Sequence, residues 1–505
     1  MLILLMGSGF SALVYQVLWL RLLGLVFGVT VHAASTVVAA FMAGLALGSF
    51  AAGRLADRVS APLRWFGIAE LLIGATAFQT PWLLKALEGF YKQIYVGVSD
   101  DIHVLTLVRF VCSLAVLLVP TSLMGATLPL ALRSSIARMT NFGPRAAALY
   151  AVNTAGALAG AVVTGFYLIS QVGIAASFAV AAGINAIVGI TAVLCSKKPS
   201  VFAPATGAPT AQVEPDRNGY GLSAGDRGLV LAVFGLSGFV GLALEIIWFR
   251  VLVMFLPAST YMFTIILAVV LGGMAAGSAL ATRALRRDRD WLARLAVYQA
   301  AVAISAVGSL AAQAWTYSHG WRTGAALQGS ALTVLPAMML MGAAFPIGLH
   351  CWTVGRPRAV ERAGDSVGRF YLVNLSGGIG GAVAAGFLLI PWLGTRLSLI
   401  VVSGLSLLSG LAVLAAVAVR RRRFSLATAA VSILLFTAIA STAPDPLAAT
   451  LKRRFGDSRL LWREEGAQST VSIHAGDQRV MYLDGVHQAN DSAPMLATHR
   501  QIGGL

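Results

Sequence analysis

The chain has 505 residues, 58% of them hydrophobic and 11% charged, with a mean hydropathy of +0.80. That composition excludes an ordinary soluble enzyme and a disordered segment, and describes a polytopic membrane protein. The net charge of +17 does not point to nucleic acid, because the cations sit mostly in short loops between apolar runs, where they set topology.

The opening run "MLILLMGSGFSALVYQVLWL" lacks a basic n-region and its pattern recurs later, so it reads as a first membrane helix rather than a signal peptide. Stretches long enough to cross about 30 Å of hydrocarbon follow at 2–28, 34–53, 63–84, 104–132, 146–168 and 173–195. A second set lies at 228–254, 260–282, 292–313, 327–352, 367–390 and 396–419, and a thirteenth at 424–442. Between the sets, 196–227 is rich in Pro, Gly, Ala and charge and reads as a linker. Cys112, Cys195 and Cys351 fall in or at the end of apolar segments with no CxxC spacing, so neither a disulfide framework nor a zinc site is expected.

Lys and Arg alternate between loops. Loops 54–64, 133–145, 196–227, 283–294, 353–369 and 420–423 hold 23 of them, and the intervening loops hold four. The positive-inside rule then places the first group, and the amino terminus, in the cytoplasm. An odd number of spans puts everything after Ser441 outside.

The two sets are copies. "SGFSALVYQVLWLR" from Ser8 aligns with "SGFVGLALEIIWFR" from Ser237, and "AGLALGS" from Ala43 with "GGMAAGS" from Gly272, at a common offset of 229. "MGATLP" (124–129) matches "MGAAFP" (341–346), and "YAVNTAGALAGAVVTGF" (150–166) matches "YLVNLSGGIGGAVAAGF" (371–387). Six spans per copy is an even number, so both halves enter the membrane in the same direction, as in two-bundle folds with an axis along the membrane normal. The expected fold is therefore an all-α polytopic membrane protein: two parallel six-helix repeats, a thirteenth helix and a small antiparallel β segment. The expected units are repeats at 1–195 and 228–419, the linker at 196–227, a basic anchor and helix at 420–443, and a tail at 444–505. This organisation, with "GRLADR" at 53–58, resembles the major facilitator superfamily; the counterpart "TRALRR" (282–287) lacks the acid.

Polar side chains in a span are functional candidates. Gln16 aligns with Glu245, Arg21 with Arg250, Glu70 with Gln299, and Asn153 with Asn374. If the halves pack face to face, these groups could meet near the pseudo-axis and hold a cationic or zwitterionic solute, or pass protons. The alternative is that they are interhelical hydrogen bonds worth about 0.6–2 kcal/mol each. Gly44, Gly48, Gly273 and Gly277 read as packing faces, as do Gly156, Gly160, Gly377 and Gly381 beside the asparagines.

After the last span the period changes to two. "STVSIHAGDQRVMYLDGVHQ" predicts two or three antiparallel strands with turns at Ala475–Gln478 and Asp484–Gly485. His474, His487 and His499 lack metal-ligand spacing and read as surface residues, so no metal site is expected. "AQSTVSI" (467–473) and "RVMYLDGVHQ" (479–488) resemble the amino-terminal β-domain of spermidine synthases, the polyamine aminopropyltransferases. "SGFSALVYQVLWLR" and "AGLALGSFAAGRLADR" are similar to bacterial members in which a facilitator-like membrane half is fused to such a domain.

That resemblance implies a transferase of polyamine biosynthesis in the bacterial inner membrane, with decarboxylated S-adenosylmethionine as co-substrate. Gln468 would contact its nucleoside thioether, and Gln488 matches the same motif. Where the family has Tyr-His-Glu or Tyr-Gln-Glu, this chain has Ala497, Thr498 and His499. The glycine-rich turn and the catalytic aspartates are expected beyond Leu505, so no catalytic residue or bound cofactor is expected within this chain. A tail outside the cell conflicts with a cytosolic co-substrate. Three readings stay open: a membrane-anchored aminopropyltransferase-like protein, a transporter of a small cationic or zwitterionic solute, and a membrane scaffold for the soluble tail. Partners on these readings are the lipid bilayer and a polyamine or other small amine.

Overall fold

A computed structural model describes residues 1–27, 31–98, 102–135, 142–196, 223–255, 260–287, 289–318, 323–353, 362–446, 448, 459–466, 469–483 and 486–503. Most of the linker, 197–222, lies outside them.

The first half comprises α1 (Leu2–Phe27), α2 (Val31–Arg58), α3 (Pro62–Val98), α4 (Ile102–Ser135), α5 (Phe142–Val163) and α6 (Ile174–Ser196). The second comprises α7 (Ala224–Phe255), α8 (Thr260–Ala284), α9 (Trp291–Ser318), α10 (Thr323–Thr353), α11 (Ala363–Ala384) and α12 (Ile390–Thr442). α7 begins on a capping box, in which Ser223 and Asp226 each bond the other's backbone N–H. α12 breaks at Arg421 (φ −140°, ψ 56°), so Arg421–Thr442 is a separate apolar stretch, the expected thirteenth span.

Among the described residues, eleven stretches are long and apolar enough to cross a membrane; one of them, Ala363–Val419, contains both α11 and the first part of α12. α3 is not among the eleven. Its middle carries Glu70, Thr76, Gln79 and Thr80, which dilute the apolar run and which neighbouring helices cover in part.

The packing repeats as the sequence does. Within the first half α1 packs on α5 and α6, α2 on α4, and α3 on α4 and α6. Within the second, α7 packs on α11 and α12, α8 on α10, and α9 on α10 and α12. Matched details confirm the equivalence. Trp19 Nε1 donates to Thr80 Oγ1 at 2.7 Å, and Trp248 Nε1 to Ser309 Oγ at 3.0 Å. α5 and α11 both run into a π-helical segment, Thr164–Val172 and Ala385–Leu389. Each path then turns on a left-handed glycine, Gly173 (φ +85°) or Gly394 (φ +71°), a conformation that costs other residues about 1–3 kcal/mol.

Glycine allows the helices to touch backbone to backbone. A Cβ on Gly48 would lie 1.7 Å from the Ser122 carbonyl oxygen, and one on Gly277 would lie 1.8 Å from that of Met339. Gly156 and Gly160 of α5 press on Met6 and Phe10 of α1, as Gly377 and Gly381 of α11 press on Gly235 and Phe239 of α7.

The halves meet along two crossed seams, α2 with α11 and α5 with α8. Their cores are distributed unevenly. One core joins both halves at the end that carries the basic loops; it includes Leu5, Phe66, Leu132 and Phe142 with Phe234, Phe345, Ile347 and Phe370. Towards the other end each half has its own core, around Tyr15, Trp19 and Phe178 in the first and Ile247, Trp248 and Val402 in the second, and a small cluster of Val17, Ala161 and Leu267 bridges the halves.

The tail is a four-stranded antiparallel meander of β1 (Arg459–Glu465), β2 (Thr470–Ala475), β3 (Arg479–Leu483) and β4 (Val486–Asn490), followed by α13 (Ala493–Gly503). Four strands replace the two or three expected, because β1 carries the run Leu460-Leu461-Trp462 and a bulge there, which hides the period of two. β2 alternates strictly and turns Thr470, Ser472 and His474 inward. His474 is therefore buried against Tyr482, a correction to its surface reading; His487 is exposed, and the side chain of His499 lies outside the described residues.

Candidate functional site

The eight intramembrane candidates do not converge on one point. Each aligned pair takes its place from the helix seam it occupies.

Glu70 of α3 is wholly buried, and its Oε2 accepts Asn185 Nδ2 of α6 at 2.6 Å. Its counterpart Gln299 of α9 is buried beside Ser406 of α12, whose hydroxyl donates to the Gln299 carbonyl oxygen at 2.9 Å. Asn185 and Ser406 are related by the same offset of 221 that relates Asn153 to Asn374. Both joints thus lie inside a half, between α3 and α6 or α9 and α12, and do not reach the seam between halves.

Asn153 and Asn374 sit where α5 and α11 cross α1 and α7. Asn374 Nδ2 donates to the Phe234 carbonyl at 3.0 Å, and a Cβ on Gly9 would lie 2.1 Å from the Asn153 carbonyl oxygen. These are helix-to-helix contacts. Arg21 is exposed, whereas Arg250 is 2% exposed and donates Nη2 to the Gly466 carbonyl (3.0 Å) and Thr470 Oγ1 (3.1 Å) of the tail. Arg250 therefore anchors the β-sheet rather than lining a cavity shared with Arg21. The same anchor includes Glu465, whose Oε2 accepts the Thr395 N–H at 2.7 Å and the Thr395 hydroxyl at 2.8 Å, capping the helix that follows Gly394. Arg463 braces Glu465 and Asp445.

Gln16 and Glu245 remain. Both are partly buried in mid-helix, at the same position of α1 and α7, and neither has a hydrogen-bond partner among the described residues. Gln16 lines a narrow crevice with Trp19, Leu20, Val37, Val38, Phe41 and Leu117. Amide and carboxyl side chains within spans are costly to place against lipid and face the interior of the bundle or a water-filled cavity.

Spacing could not reveal Asp57 of "GRLADR" as a joint. Its carboxylate accepts the N–H groups of Gly364 (2.9 Å) and Asp365 (2.8 Å) at the start of α11, with Arg133 Nε 3.5 Å away. At the matched place in the second half stands Arg286, which cannot accept such bonds. Of the residues tied to the nucleoside co-substrate, Gln468 lies outside the described residues and Gln488 is exposed on the outer strand β4.

No family model matches the sequence, and no curated protein does. Among solved structures the chain is similar to a point variant of the E. coli fucose:proton symporter FucP, at 13% identity and a TM-score of 0.48, covering 80% of this chain and 97% of that one. It is also similar to a point variant of the nucleoside transporter NupG, at 14% identity and a TM-score of 0.49, covering 82% and 99%. FucP in an outward conformation, a major facilitator superfamily transporter, matches at 16% identity and 0.48, covering 80% and 97%.

Proposed function

We propose that this chain is a major-facilitator-like transporter of a small cationic or zwitterionic solute, whose two halves rock about the end they share. The observation that carries this reading is the division of the core. Both halves share one large core at the basic end; at the other each keeps its own, bridged only by the small cluster of Val17, Ala161 and Leu267, so parting at that end breaks few contacts and leaves both private cores intact. Parallel repeats meeting along two crossed seams supply the two rigid bodies that alternating access requires. Gln16 and Glu245, matched and without a hydrogen-bond partner among the described residues, are the residues of this reading that meet the solute; the carboxylate favours a positive charge. The basic end is cytoplasmic on this reading, in a bacterial inner membrane, and the tail lies on the opposite side.

The test is uptake into proteoliposomes of a panel of radiolabelled polyamines and zwitterionic amino compounds. Saturable uptake that falls at least about tenfold in Glu245→Gln is expected, the size of losing one charged contact to the solute. Uptake of every compound at the level of protein-free liposomes, or uptake indifferent to both Glu245→Gln and Gln16→Leu, would sink the reading. The aminopropyltransferase reading rests on resemblance alone, and no contact among the described residues favours it.

A further inference from the structure

The joint at Glu70 has a chemistry of its own, independent of transport. The carboxyl is 0% exposed and its Oε2 accepts Asn185 Nδ2 at 2.6 Å. Two oxygens of this pair, Glu70 Oε1 and Asn185 Oδ1, are buried without a donor. Both are acceptors when the carboxyl is ionised, and a buried acceptor left unpaired is costly, the more so when charged. The side chains that face the carboxyl are Asn185 of α6 and, from α1, the Ser8 hydroxyl, which also lies within hydrogen-bonding reach of it, and Tyr15, whose buried hydroxyl has no partner among the described residues. None of them is a cation, and a hydroxyl can accept from a protonated acid as well as donate.

One proton satisfies both oxygens at once. Placed on Oε1, it makes Glu70 a donor to Asn185 Oδ1, while Asn185 Nδ2 continues to donate to Oε2. We infer that Glu70 and Asn185 form a proton-binding site, a cyclic carboxylic acid–amide pair closed by a single exchangeable proton between α3 and α6. A metal ion fits less well, since a hard cation takes about six to eight oxygens and the pair offers two unpaired ones. The second half supplies the contrast: at the matched joint Gln299 and Ser406 hydrogen-bond with no ionisable group, so the site belongs to the first half alone. Release of the proton would turn two oxygens against each other and loosen α3 from α6, which makes this joint the proton-sensitive part of a wall otherwise duplicated.

Infrared difference spectroscopy on the full chain in lipid nanodiscs tests this. At neutral pH the wild type should show a protonated-carboxyl C=O band that shifts in D2O and is missing in Glu70→Gln, a variant that keeps the pair closed through two amides. In Asn185→Leu the band should move to higher frequency, as the acid loses its partner, and this second variant decides the matter should Glu70→Gln not fold. In Gln299→Leu the band should be unchanged. Loss of a carboxylate stretch rather than an acid carbonyl in Glu70→Gln would overturn the inference, as would a band unmoved by Asn185→Leu or abolished by Gln299→Leu.

Discussion

The Asp57 carboxylate accepts the backbone N–H of Gly364 at 2.9 Å, tying the last turn of α2 to the first turn of α11 across 307 residues of sequence. Gly53 makes the approach possible, since a Cβ there would lie 2.7 Å from the Gly364 carbonyl oxygen. A carboxylate at a helix N-terminus both fills orphan donors and opposes the helix dipole. Asp57→Ala should therefore weaken the α2–α11 seam by about 1–2 kcal/mol, with Asp57→Asn losing less because its amide oxygen still accepts. A cysteine in place of the buried Ala56, which already carries a Cβ at this seam, would report the change in each background as faster maleimide labelling; equal rates would show that the cap does not hold the seam.

The duplicated tryptophan bonds should contribute separately. Thr80→Val and Ser309→Ala each leave a buried indole N–H without its acceptor, at a cost of about 1–3 kcal/mol. The two sites lie in different private cores, so their effects should add within about 0.5 kcal/mol. Denaturant titration of the single and double variants in detergent measures this, and strong non-additivity would mean the halves do not unfold independently at that end.

Backbone contact at the glycine seams sets a harder limit. In Gly48→Val or Gly277→Val the new Cβ meets a carbonyl oxygen that cannot swing away, so overpacking should cost at least about 1–3 kcal/mol. Gly24, with nothing within 4 Å of its would-be Cβ, is the control. Size-exclusion profiles after extraction should show aggregation for the first two variants and a normal peak for Gly24→Ala.

Releasing the tail should need only one residue. Glu465→Gln removes the charged cap on Thr395, and Arg250→Ala removes the donor to Gly466 and Thr470. Either change should speed limited proteolysis within 444–505 several-fold while leaving the membrane core intact. Unchanged cleavage in both would show that the sheet is held by other contacts.

Sidedness is open to a direct check. Arg250 lies near the end of α7 and Thr395 at the start of a helix, both at the end opposite the basic loops. Asp477→Cys, on the exposed β2–β3 turn, should react with an impermeant maleimide in cells whose outer membrane alone has been made permeable. Reaction only after lysis would reverse the assignment.

The sequence determined the number and nature of the helices, because crossing a bilayer demands long apolar runs whatever the partners. It also determined the duplication, and through it the equivalence of Glu70 with Gln299 and of Asn153 with Asn374, since a repeated pattern needs no structure to be read. What it could not determine was where each polar group points. Residues on one helix reach different neighbours every three or four positions, so Gln16 and Arg21, both on α1, have unlike surroundings. Only packing decided that Glu70 faces Asn185 within a half, that Arg250 holds the tail, and that Asp57 reaches the opposite half. Those outcomes depend on crossing geometry set by glycines distant in sequence, and a single chain pattern does not carry that geometry.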